Sequence, residues 1–418
     1  MKLAVVGGGS TYTPELIDGF ARLREELPLS EIALVDPDAH RLSLVAGMAR
    51  RMLARAGHPA AVTEHASVGP GVEGAGAVLL QLRVGGQAAR NVDETLPLEC
   101  GCVGQETTGA GGLAKALRTV PVVLEIAEEV RRRAPGAWIV DFTNPVGIVT
   151  RALLDEGHRA IGLCNVAIGM QRRFAALLGV PWQSIGLGHV GLNHLTWERS
   201  VTVDGREVLP ALIEEHAAAI AAEVGVPEWI LRDLGVVPSY YLRYFYEHDA
   251  VVEEQRTKPS RAAEVAAMEQ TLLDVYADPA SDTKPELLAK RGGAYYSEAA
   301  VALIASLAGD RGDVQVVNAR NGDTLPFLRP EAVIEVPAVI GASGAAPLPV
   351  PAVEPLYRGL IANVSAYEEL ALDAARNGGE RRVRDALLAH PLIGQAGLAT
   401  GLASRLIAAN RAHLPWAV

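Results

Sequence analysis

The chain has 418 residues, of which 49% are hydrophobic, 21% are charged and 5% are aromatic. At roughly 150 residues per domain, this length predicts two to three domains with enough apolar material for a core. The composition excludes a disordered chain, a collagen-like fibre and a disulfide-stapled miniprotein. The 38 basic and 49 acidic residues give a net charge of −11 without a long basic run, which predicts no nucleic-acid partner.

The cysteine content and the apolar runs bear on the compartment. Three cysteines, Cys100, Cys102 and Cys164, are an odd and small number, which is typical of a reducing cytoplasm. The first residues lead directly into a predicted strand and lack the long apolar stretch of a signal peptide. No uninterrupted apolar run reaches the ~18 residues of a membrane helix. We therefore expect a cytoplasmic protein with no membrane contact.

Short apolar runs alternate with helical patterns along the first 165 residues. Five buried strands are predicted at Leu3–Val6, Ile32–Asp36, Ala77–Leu82, Ala137–Phe142 and Ala160–Cys164. Helices are predicted from an N-cap at Thr13, over Ala39–Ala56, over Leu113–Arg133 with a break or kink at Pro121, and from Asn144-Pro145 onwards. This alternation predicts a doubly wound parallel sheet that is covered by helices on both faces.

After about residue 180 the pattern changes. Strands are predicted at Gly186–Asn193, Leu195–Val203, Val314–Asn318 and Ala332–Val336. Long helices are predicted at Leu209–Val224, Arg261–Tyr276, Tyr296–Leu307, Val353–Arg376 and Ala396–Ala412. The predicted fold class is α/β, with an N-terminal Rossmann-like domain over residues 1–180 and a mixed, helix-rich α+β domain over residues 181–418. Apolar stripes in the C-terminal helices suggest a homodimer or homotetramer, although they could equally pack within their own domain.

A glycine turn follows the first strand and opens the first helix. Gly7 and Gly9 match the first two glycines of a dinucleotide-binding turn, but Tyr12 occupies the third position, so the strict motif fails. Small residues still let the backbone approach a pyrophosphate at the helix N-terminus. An acid at the end of the second strand can bind a ribose 2′-hydroxyl and disfavours a 2′-phosphate, so NAD is predicted over NADP. The candidate cofactor-binding residues are Gly7, Gly9, Ser10, Thr11 and Asp36.

Polar residues follow the carboxyl ends of three further strands, where open α/β sheets bind their ligands. Arg83 follows the third strand, Asn144 the fourth, and Cys164-Asn165 ends the fifth. Each could instead be a structural residue, and an N-cap role is an equal competitor for Asn144. The glycine-rich segment Gly101–Gly112 is long enough to be a binding loop or a hinge.

Cys164 and His194 are the best pair of candidate metal ligands. A free cysteine is usually a small buried hydrophobe, and a lone histidine is usually a satisfied polar residue. Neither lies in a motif with short ligand spacing, and a Cys/His pair suits zinc or another soft-ligand metal better than a hard one. In the aromatic run Tyr240–Tyr246, core packing accounts for most rings, but one phenol could act as a base if a cation lowered its pKa.

Taken together, these motifs resemble the NAD- and metal-dependent glycosidases of glycoside hydrolase family 4, and most of all its 6-phospho-β-glucosidase branch. The matching segments occur in the family's order over about the first 300 residues. They are Gly7–Leu16, Gln81–Gly86, Gly104–Gly112, Thr119–Pro121, Phe142–Pro145, Leu163–Gly169, Gly191–His194, Pro238–Tyr246 and Arg291–Ser297. The resemblance implies the lactate/malate dehydrogenase-like superfamily, with NAD and a divalent metal, usually manganese, as cofactors.

The activity that the resemblance implies is hydrolysis of 6-phospho-β-glucosides through NAD-dependent oxidation at C3, elimination of the aglycone, addition of water and re-reduction. The substrate would be a phosphorylated disaccharide or glucoside. Family 4 does not use the carboxylate pair of most glycosidases. The residue roles that it implies are metal binding by Cys164 and His194, proton abstraction by Tyr241, and contacts to the sugar and its phosphate by Arg83, Asn144, Asn165 and Arg291.

Some alternatives remain open at this point. Asn165 stands where α-specific members often carry Asp, which favours the β branch and leaves the leaving-group acid unidentified. Arg83 and Arg291 could bind a carboxylate, as in uronide-cleaving relatives. Outside the family, a lactate/malate-type dehydrogenase would need a catalytic histidine, for which His189 and His194 are available. A non-catalytic NAD-binding sensor is a third hypothesis, which the density of polar residues at the strand ends disfavours.

Overall fold

The computed structural model describes residues 1–293 and 295–417, and within them the strands form a single mixed sheet of 13 strands. The strands are β1 Lys2–Val6, β2 Glu31–Val35, β3 Ala61–His65, β4 Ala77–Leu80, β5 Trp138–Asp141, β6 Ala160–Gly162, β7 Ile185–Leu192, β8 Leu195–Val203, β9 Arg206–Glu207, β10 Val237–Pro238, β11 Asp313–Arg320, β12 Val333–Gly341 and β13 Gly344–Pro347. Their order across the main path is β10-β8-β7-β12-β11-β6-β5-β4-β1-β2-β3, with β13 beside β12 and β9 beside β8.

The N-terminal half of this sheet is parallel. The strands β3-β2-β1-β4-β5-β6 all pair in parallel, in the order of a doubly wound dinucleotide-binding fold. The four residues Ala77–Leu80 of β4 are all buried, as expected for a strand that is covered on both faces. The predicted α/β fold class is therefore confirmed. The carboxyl ends of these strands meet at one edge of the sheet, which is where the polar residues follow.

Helices cover both faces of the sheet. They are α1 Thr13–Arg22, α2 Ala39–Arg55, α3 Val68–Val72, α4 Gly86–Glu99, α5 Gly109–Arg133, α6 Val146–Asp155, α7 Val166–Leu178, α8 Leu209–Val224, α9 Glu228–Leu234, α10 Arg243–Tyr246, α11 His248–Thr257, α12 Arg261–Ala277, α13 Leu287–Arg291, α14 Tyr296–Gly309, α15 Pro355–Asn377, α16 Glu380–Ala389 and α17 Ala396–Asn410. In the part of the chain that the structure describes, no helix combines the length and the apolar character that crossing a membrane requires.

The C-terminal half extends the same sheet with antiparallel strands. Strand β11 pairs with β6 through Asn318 and Gly162, and β12 continues to β7 through Glu335 and Gly191. One hydrophobic cluster draws residues from both halves, from Ala4 in β1 to Leu406 in α17. The two halves therefore share a sheet and a core, and the division of the chain at residue 180 stays a prediction.

Two local predictions were wrong, and a third was wrong in one of its two alternatives. Strand β3 was missed because it lies at the sheet edge and buries only Val62, which leaves little apolar signal. Thr13 is the first residue of α1 and not its cap, because its hydroxyl donates to the carbonyl of Gly8 at 2.9 Å. Helix α5 continues through Pro121, so the predicted break is absent there, while the alternative of a kink stays a prediction.

Helices α4 and α5 are joined by a buried ion pair whose loss should be costly. Arg118 donates two hydrogen bonds to Asp93, at 2.9 and 2.7 Å, and both side chains are almost fully buried. We expect Asp93→Ala to lower the free energy of unfolding by about 3–5 kcal/mol, because it leaves an uncompensated buried guanidinium. Equilibrium urea denaturation measures this change. Glu73→Ala, which breaks the exposed pair with Arg133, is the control and should change stability by about 1 kcal/mol at most.

Candidate active site

A cleft of about 1880 Å³ opens at the carboxyl ends of the parallel strands. Pockets for single small ligands measure roughly 300–1,000 Å³, so this cleft has room for a dinucleotide together with a second molecule. Ten of the predicted site residues line it: Gly7, Gly9, Ser10, Asp36, Arg83, Asn144, Asn165, His194, Tyr241 and Arg291. Two others, Thr11 and Cys164, are buried beside it.

The glycine turn has the close backbone packing that a dinucleotide site needs. Gly7 has a φ of +87°, and a Cβ there would lie 2.7 Å from the carbonyl oxygen of Gln81. A Cβ on Gly9 would lie 2.8 Å from Cγ of Asp36. The Gly9 N–H donates to Oδ2 of Asp36 at 3.0 Å, which fixes the carboxylate on the cleft wall. The residues present therefore fit NAD, with Asp36 placed to accept from a ribose hydroxyl.

Asp36 should decide the choice of dinucleotide. We expect Asp36→Asn to weaken NAD binding roughly 10-fold to 100-fold, because a hydrogen bond to a charged group is worth about 1.5–3 kcal/mol. It should weaken NADP binding less, because the repulsion of a 2′-phosphate disappears. Isothermal titration with both dinucleotides measures the ratio, and an unchanged ratio would remove Asp36 from recognition. Asp38→Asn is a control for the same charge change two residues away.

Thr11 lies behind the turn and outside the cleft lining. Its hydroxyl donates to Oε1 of Glu269 at 3.3 Å, and its carbonyl accepts from the hydroxyl of Tyr276 at 2.7 Å. The side chain of Thr11 is fully buried. The predicted side-chain contact of Thr11 with the cofactor stays a prediction, and the sequence offered no sign that Glu269 would be its partner.

Cys164 and His194 come from different elements: His194 lines the cleft, and Cys164 is buried beside it against Asn193, the residue before His194. Cys164 follows β6, and its thiol interacts with the side chains of Asn193 and Tyr296. Burial raises the pKa of this thiol, so binding a metal there would release a proton. His194 lies in the tight turn between β7 and β8 with a φ of +63°. Burial lowers the pKa of its imidazole to about 4, which keeps the ring in the neutral form that binds metals.

The surroundings of His194 fit a metal ligand. The hydroxyl of Thr107 lies 2.8 Å from Nδ1, which leaves Nε2 as the nitrogen available to an ion. The ring of Tyr241 stacks on the imidazole, with centroids 3.6 Å apart and planes 10° apart. Among residues 1–293 and 295–417, no group of three or more His, Cys, Asp or Glu side chains could hold an ion. A metal held by this pair would keep open positions for substrate oxygens, as in catalytic sites.

A buried network that the sequence analysis missed stands behind the two candidate ligands. Asn193 donates to Glu335 at 2.8 Å, and Glu335 also faces Nε2 of His189 at 3.1 Å. The other ring nitrogen of His189 lies 2.6 Å from Glu198, its cross-strand partner. Burial would lower the pKa of His189, but the two glutamates raise it to about 10. His189 is thus engaged by two glutamates and does not line the cleft, which disfavours it as the catalytic histidine of a dehydrogenase.

A second charge cluster forms one side of the cleft. Glu106 contacts the side chains of Arg83, Lys115 and Arg90, the latter two at 2.6 and 3.3 Å. Burial alone would raise the pKa of Glu106, but these three cations hold it well below its usual range. Burial lowers the pKa of Lys115 to about 8. Gly104, Gln105 and Glu106 of the glycine-rich segment therefore line the cleft, whereas its last residues, from Gly109, belong to α5. The role of the segment as a binding loop or a hinge stays a prediction.

Asn144 and Arg291 present unused polar groups. Helix α6 is preceded by Pro145 and has no side-chain cap, so Asn144 is not an N-cap residue. In the part of the chain that the structure describes, Oδ1 of Asn144 and Nε of Arg291 are buried without hydrogen-bond partners. Both residues line the cleft. An acceptor and a cationic donor in these positions suit a hydroxylated, anionic ligand.

The aromatic run divides between the site and the core. Tyr240, Tyr241 and Tyr244 line the cleft, whereas Phe245 and Tyr246 pack against the core. Burial, with Tyr240 next to it, raises the pKa of Tyr241 well above that of an ordinary phenol. Tyr241 can therefore serve as a base only with a cation close by. The stacked pair Tyr241–His194 puts the phenol next to the candidate metal ligands.

The fold and the site together define an α/β enzyme whose cleft is lined by the glycine turn, His194 and Tyr241, with Cys164, the second candidate metal ligand, buried beside it. Residues 2–180 match the model of the family 4 glycosyl hydrolases, and residues 189–393 match that of the family 4 glycosyl hydrolase C-terminal domain. The chain belongs to family 4 of the glycosyl hydrolases, as the sequence motifs predicted.

The relatives and structures that it resembles are consistent with this membership. The chain is 36% identical to a probable 6-phospho-β-glucosidase of Bacillus subtilis, covering 99% of this chain and 97% of the relative. It is 33% identical to the 6-phospho-β-glucosidase of Escherichia coli, covering 99% of this chain and 96% of that relative. The structure of the Thermotoga maritima 6-phospho-β-glucosidase with manganese, NAD⁺ and glucose-6-phosphate matches with a TM-score of 0.93 at 32% identity, over 99% of both chains. Malate dehydrogenase from Salinibacter ruber, with a TM-score of 0.55 at 17% identity, shares the fold alone.

Proposed function

We propose that this protein is a 6-phospho-β-glucosidase that requires NAD and a divalent metal, with manganese as the first candidate. The observation that carries the proposal is that the glycine turn, His194 and Tyr241 line one cleft, with Cys164 buried beside it. The full-length similarity to enzymes named 6-phospho-β-glucosidase supports the substrate class. The net reaction is hydrolysis, so NAD is not consumed.

When bound, NAD would supply reversible hydride transfer at C3 of the sugar, and the metal would polarise the C3 oxygen. Cys164 and His194 would hold the metal, and Thr107 would orient the imidazole through Nδ1. Gly7, Gly9 and Ser10 would receive the cofactor's pyrophosphate, and Asp36 its ribose. Tyr241 would take the proton from C2, which the oxidation at C3 makes acidic, and so allow the aglycone to leave.

The sugar would be held by the polar groups that the structure leaves facing the cleft. Asn144, whose Oδ1 has no hydrogen-bond partner among the described residues, and Asn165 would hydrogen-bond to the sugar hydroxyl groups. Arg291 and Arg83 would bind the 6-phosphate, because guanidinium groups match the geometry of phosphate oxygens. Arg83, Arg90 and Lys115 share the single carboxylate of Glu106, and Arg41 and Arg291 share that of Glu269. Cations outnumber carboxylates in both clusters, so the local charge is positive in a protein of net charge −11. A phosphorylated disaccharide or glucoside is therefore the proposed substrate.

Two further expectations concern the setting of the enzyme. All three cysteines are free thiols, which is consistent with the predicted cytoplasmic location. Leu356 and Leu388 are exposed on α15 and α16, the kind of surface that a homodimer or homotetramer would cover. The compartment and the oligomeric state both stay predictions.

The proposal is tested with p-nitrophenyl β-glucoside 6-phosphate and enzyme freed of metal and cofactor. NAD and Mn²⁺ are added back singly and together, with the unphosphorylated glucoside as control. We expect nitrophenol release with both additions only, without accumulation of NADH. Cleavage of α-linked or uronide substrates instead would move the enzyme to another branch of the family. Accumulation of NADH without glycoside cleavage would support a dehydrogenase.

A further inference from the structure

Glu269 is a buried carboxylate that gathers side chains from four separate parts of the cleft wall. Its Oε1 accepts from Gln87 at 3.0 Å, from Arg291 at 3.0 Å and from the hydroxyl of Thr11 at 3.3 Å. Its Oε2 accepts from Arg41 at 3.4 Å. Glu269 itself lies on α12 and is only 8% exposed. Both oxygens are thus occupied, and the carboxylate is the point where these four segments meet.

The two arginines on Glu269 face different parts of the cleft. Arg41 also donates from Nε to the carbonyl of Gly9 at 3.3 Å, so it is tied to the glycine turn. Arg291 comes from α13, and its Nε is buried without a partner among residues 1–293 and 295–417. Both arginines line the cleft. One therefore belongs to the side that would receive the cofactor's phosphates, and the other to the side that would receive the sugar phosphate.

We propose that Glu269 is a positioning residue that couples binding of NAD to binding of the phosphorylated sugar. This inference rests on the proposed function, because it assigns the cofactor to the turn and the 6-phosphate to Arg291. A dinucleotide on the turn acts on Thr11 and on Arg41, which donates to the Gly9 carbonyl, and both side chains also donate to Glu269. Glu269 in turn holds Arg291 in the orientation that the second anion needs. The two ligands should therefore bind with positive cooperativity, although both are anions.

The effect of removing the charge of Glu269 on the affinity for each ligand distinguishes this role from a merely structural one. The Glu269→Gln variant keeps one acceptor oxygen but loses the negative charge and the second acceptor oxygen. Because Arg291 and Arg41 bind different oxygens of Glu269, the variant cannot hold both arginines. Removing the negative charge also makes the cleft more attractive to anions. Each ligand alone should therefore bind Glu269→Gln as tightly as the wild type or more tightly, while the cooperativity disappears. Simple structural damage would weaken each ligand on its own.

The experiment is isothermal titration of the full-length protein with NAD, with and without saturating glucose 6-phosphate, and the reverse titration. All titrations contain a metal chelator, so that the metal does not contribute to the coupling. In the wild type we expect each ligand to tighten the binding of the other by roughly 5-fold or more, equally in both directions, because linkage is reciprocal. In Glu269→Gln this factor should fall below about 2-fold, at the low end of measurable coupling.

Asp274→Asn provides the matched control. Asp274 is exposed on the same helix, accepts from Gln270 of that helix at 3.2 Å and does not line the cleft, so the variant removes one negative charge away from the four segments. It should retain the wild-type coupling. If wild type and Glu269→Gln show the same coupling, the inference is overturned while the proposed function stands. If neither ligand binds the wild type, the proposed function falls and the inference with it.

Discussion

Replacing Tyr241 by phenylalanine should reduce turnover of a 6-phospho-β-glucoside by roughly 10²-fold to 10⁴-fold, the range for loss of a general base. The phenol stacks on His194, with ring centroids 3.6 Å apart, so it lies next to the position of the candidate metal. Removing one oxygen leaves the stacked ring in place. Exchange of the C2 proton with deuterated water should stop, which is followed by NMR of the sugar, while NAD affinity should not change.

Tyr246→Phe is the control for this variant. It lies in the same aromatic run, but its hydroxyl accepts from Nε1 of Trp197 at 3.1 Å and it packs against the core. It should keep proton exchange and most of the turnover, at a modest cost in stability. Normal proton exchange in Tyr241→Phe would remove Tyr241 from the mechanism and turn attention to Tyr240 and Tyr244, which also line the cleft.

Replacing Cys164 by serine should weaken Mn²⁺ binding by about 100-fold or more. Loss of a partner that only orients a ligand already costs roughly 10-fold to 100-fold in metal affinity, and Cys164 is proposed as a ligand itself. A serine hydroxyl does not ionise as a thiol does, so it is a poor substitute for a thiolate. Equilibrium dialysis, with free Mn²⁺ measured by electron paramagnetic resonance, gives the affinity directly and without relying on catalysis.

Cys100→Ser is the matched control, because Cys100 is half-buried, lies beside Arg405 and does not line the cleft. It should leave Mn²⁺ affinity within about 2-fold of the wild type, since no ligand is lost. Equal affinities in Cys164→Ser and the wild type would make Cys164 a buried structural thiol.

The sequence by itself determined the family and most of the parallel half of the fold. Strands such as Ala77–Leu80 are continuous apolar runs because they are buried on both faces, and this signal is local. Arg83, Asn144 and Asn165 follow such strands. They could be placed at one edge of the sheet because the carboxyl ends of parallel strands lie at the same edge. Edge strand β3 escaped detection because its environment is half solvent, which leaves no strong pattern.

Only the tertiary structure decided which charged side chains share a partner. Glu269 accepts a hydrogen bond from Thr11, which is 258 positions away in the sequence, and Glu335 contacts His189, which is 146 positions away. Nothing in the spacing of such residues predicts the contact, because buried ionic pairs depend on how distant elements pack. The same holds for the stacking of Tyr241 on His194, which joins two turns that follow different strands. The hydrophobic pattern of a helix or strand depends on residues that are close in sequence. A buried charge needs a partner, and that partner can come from any part of the chain that the fold places next to it.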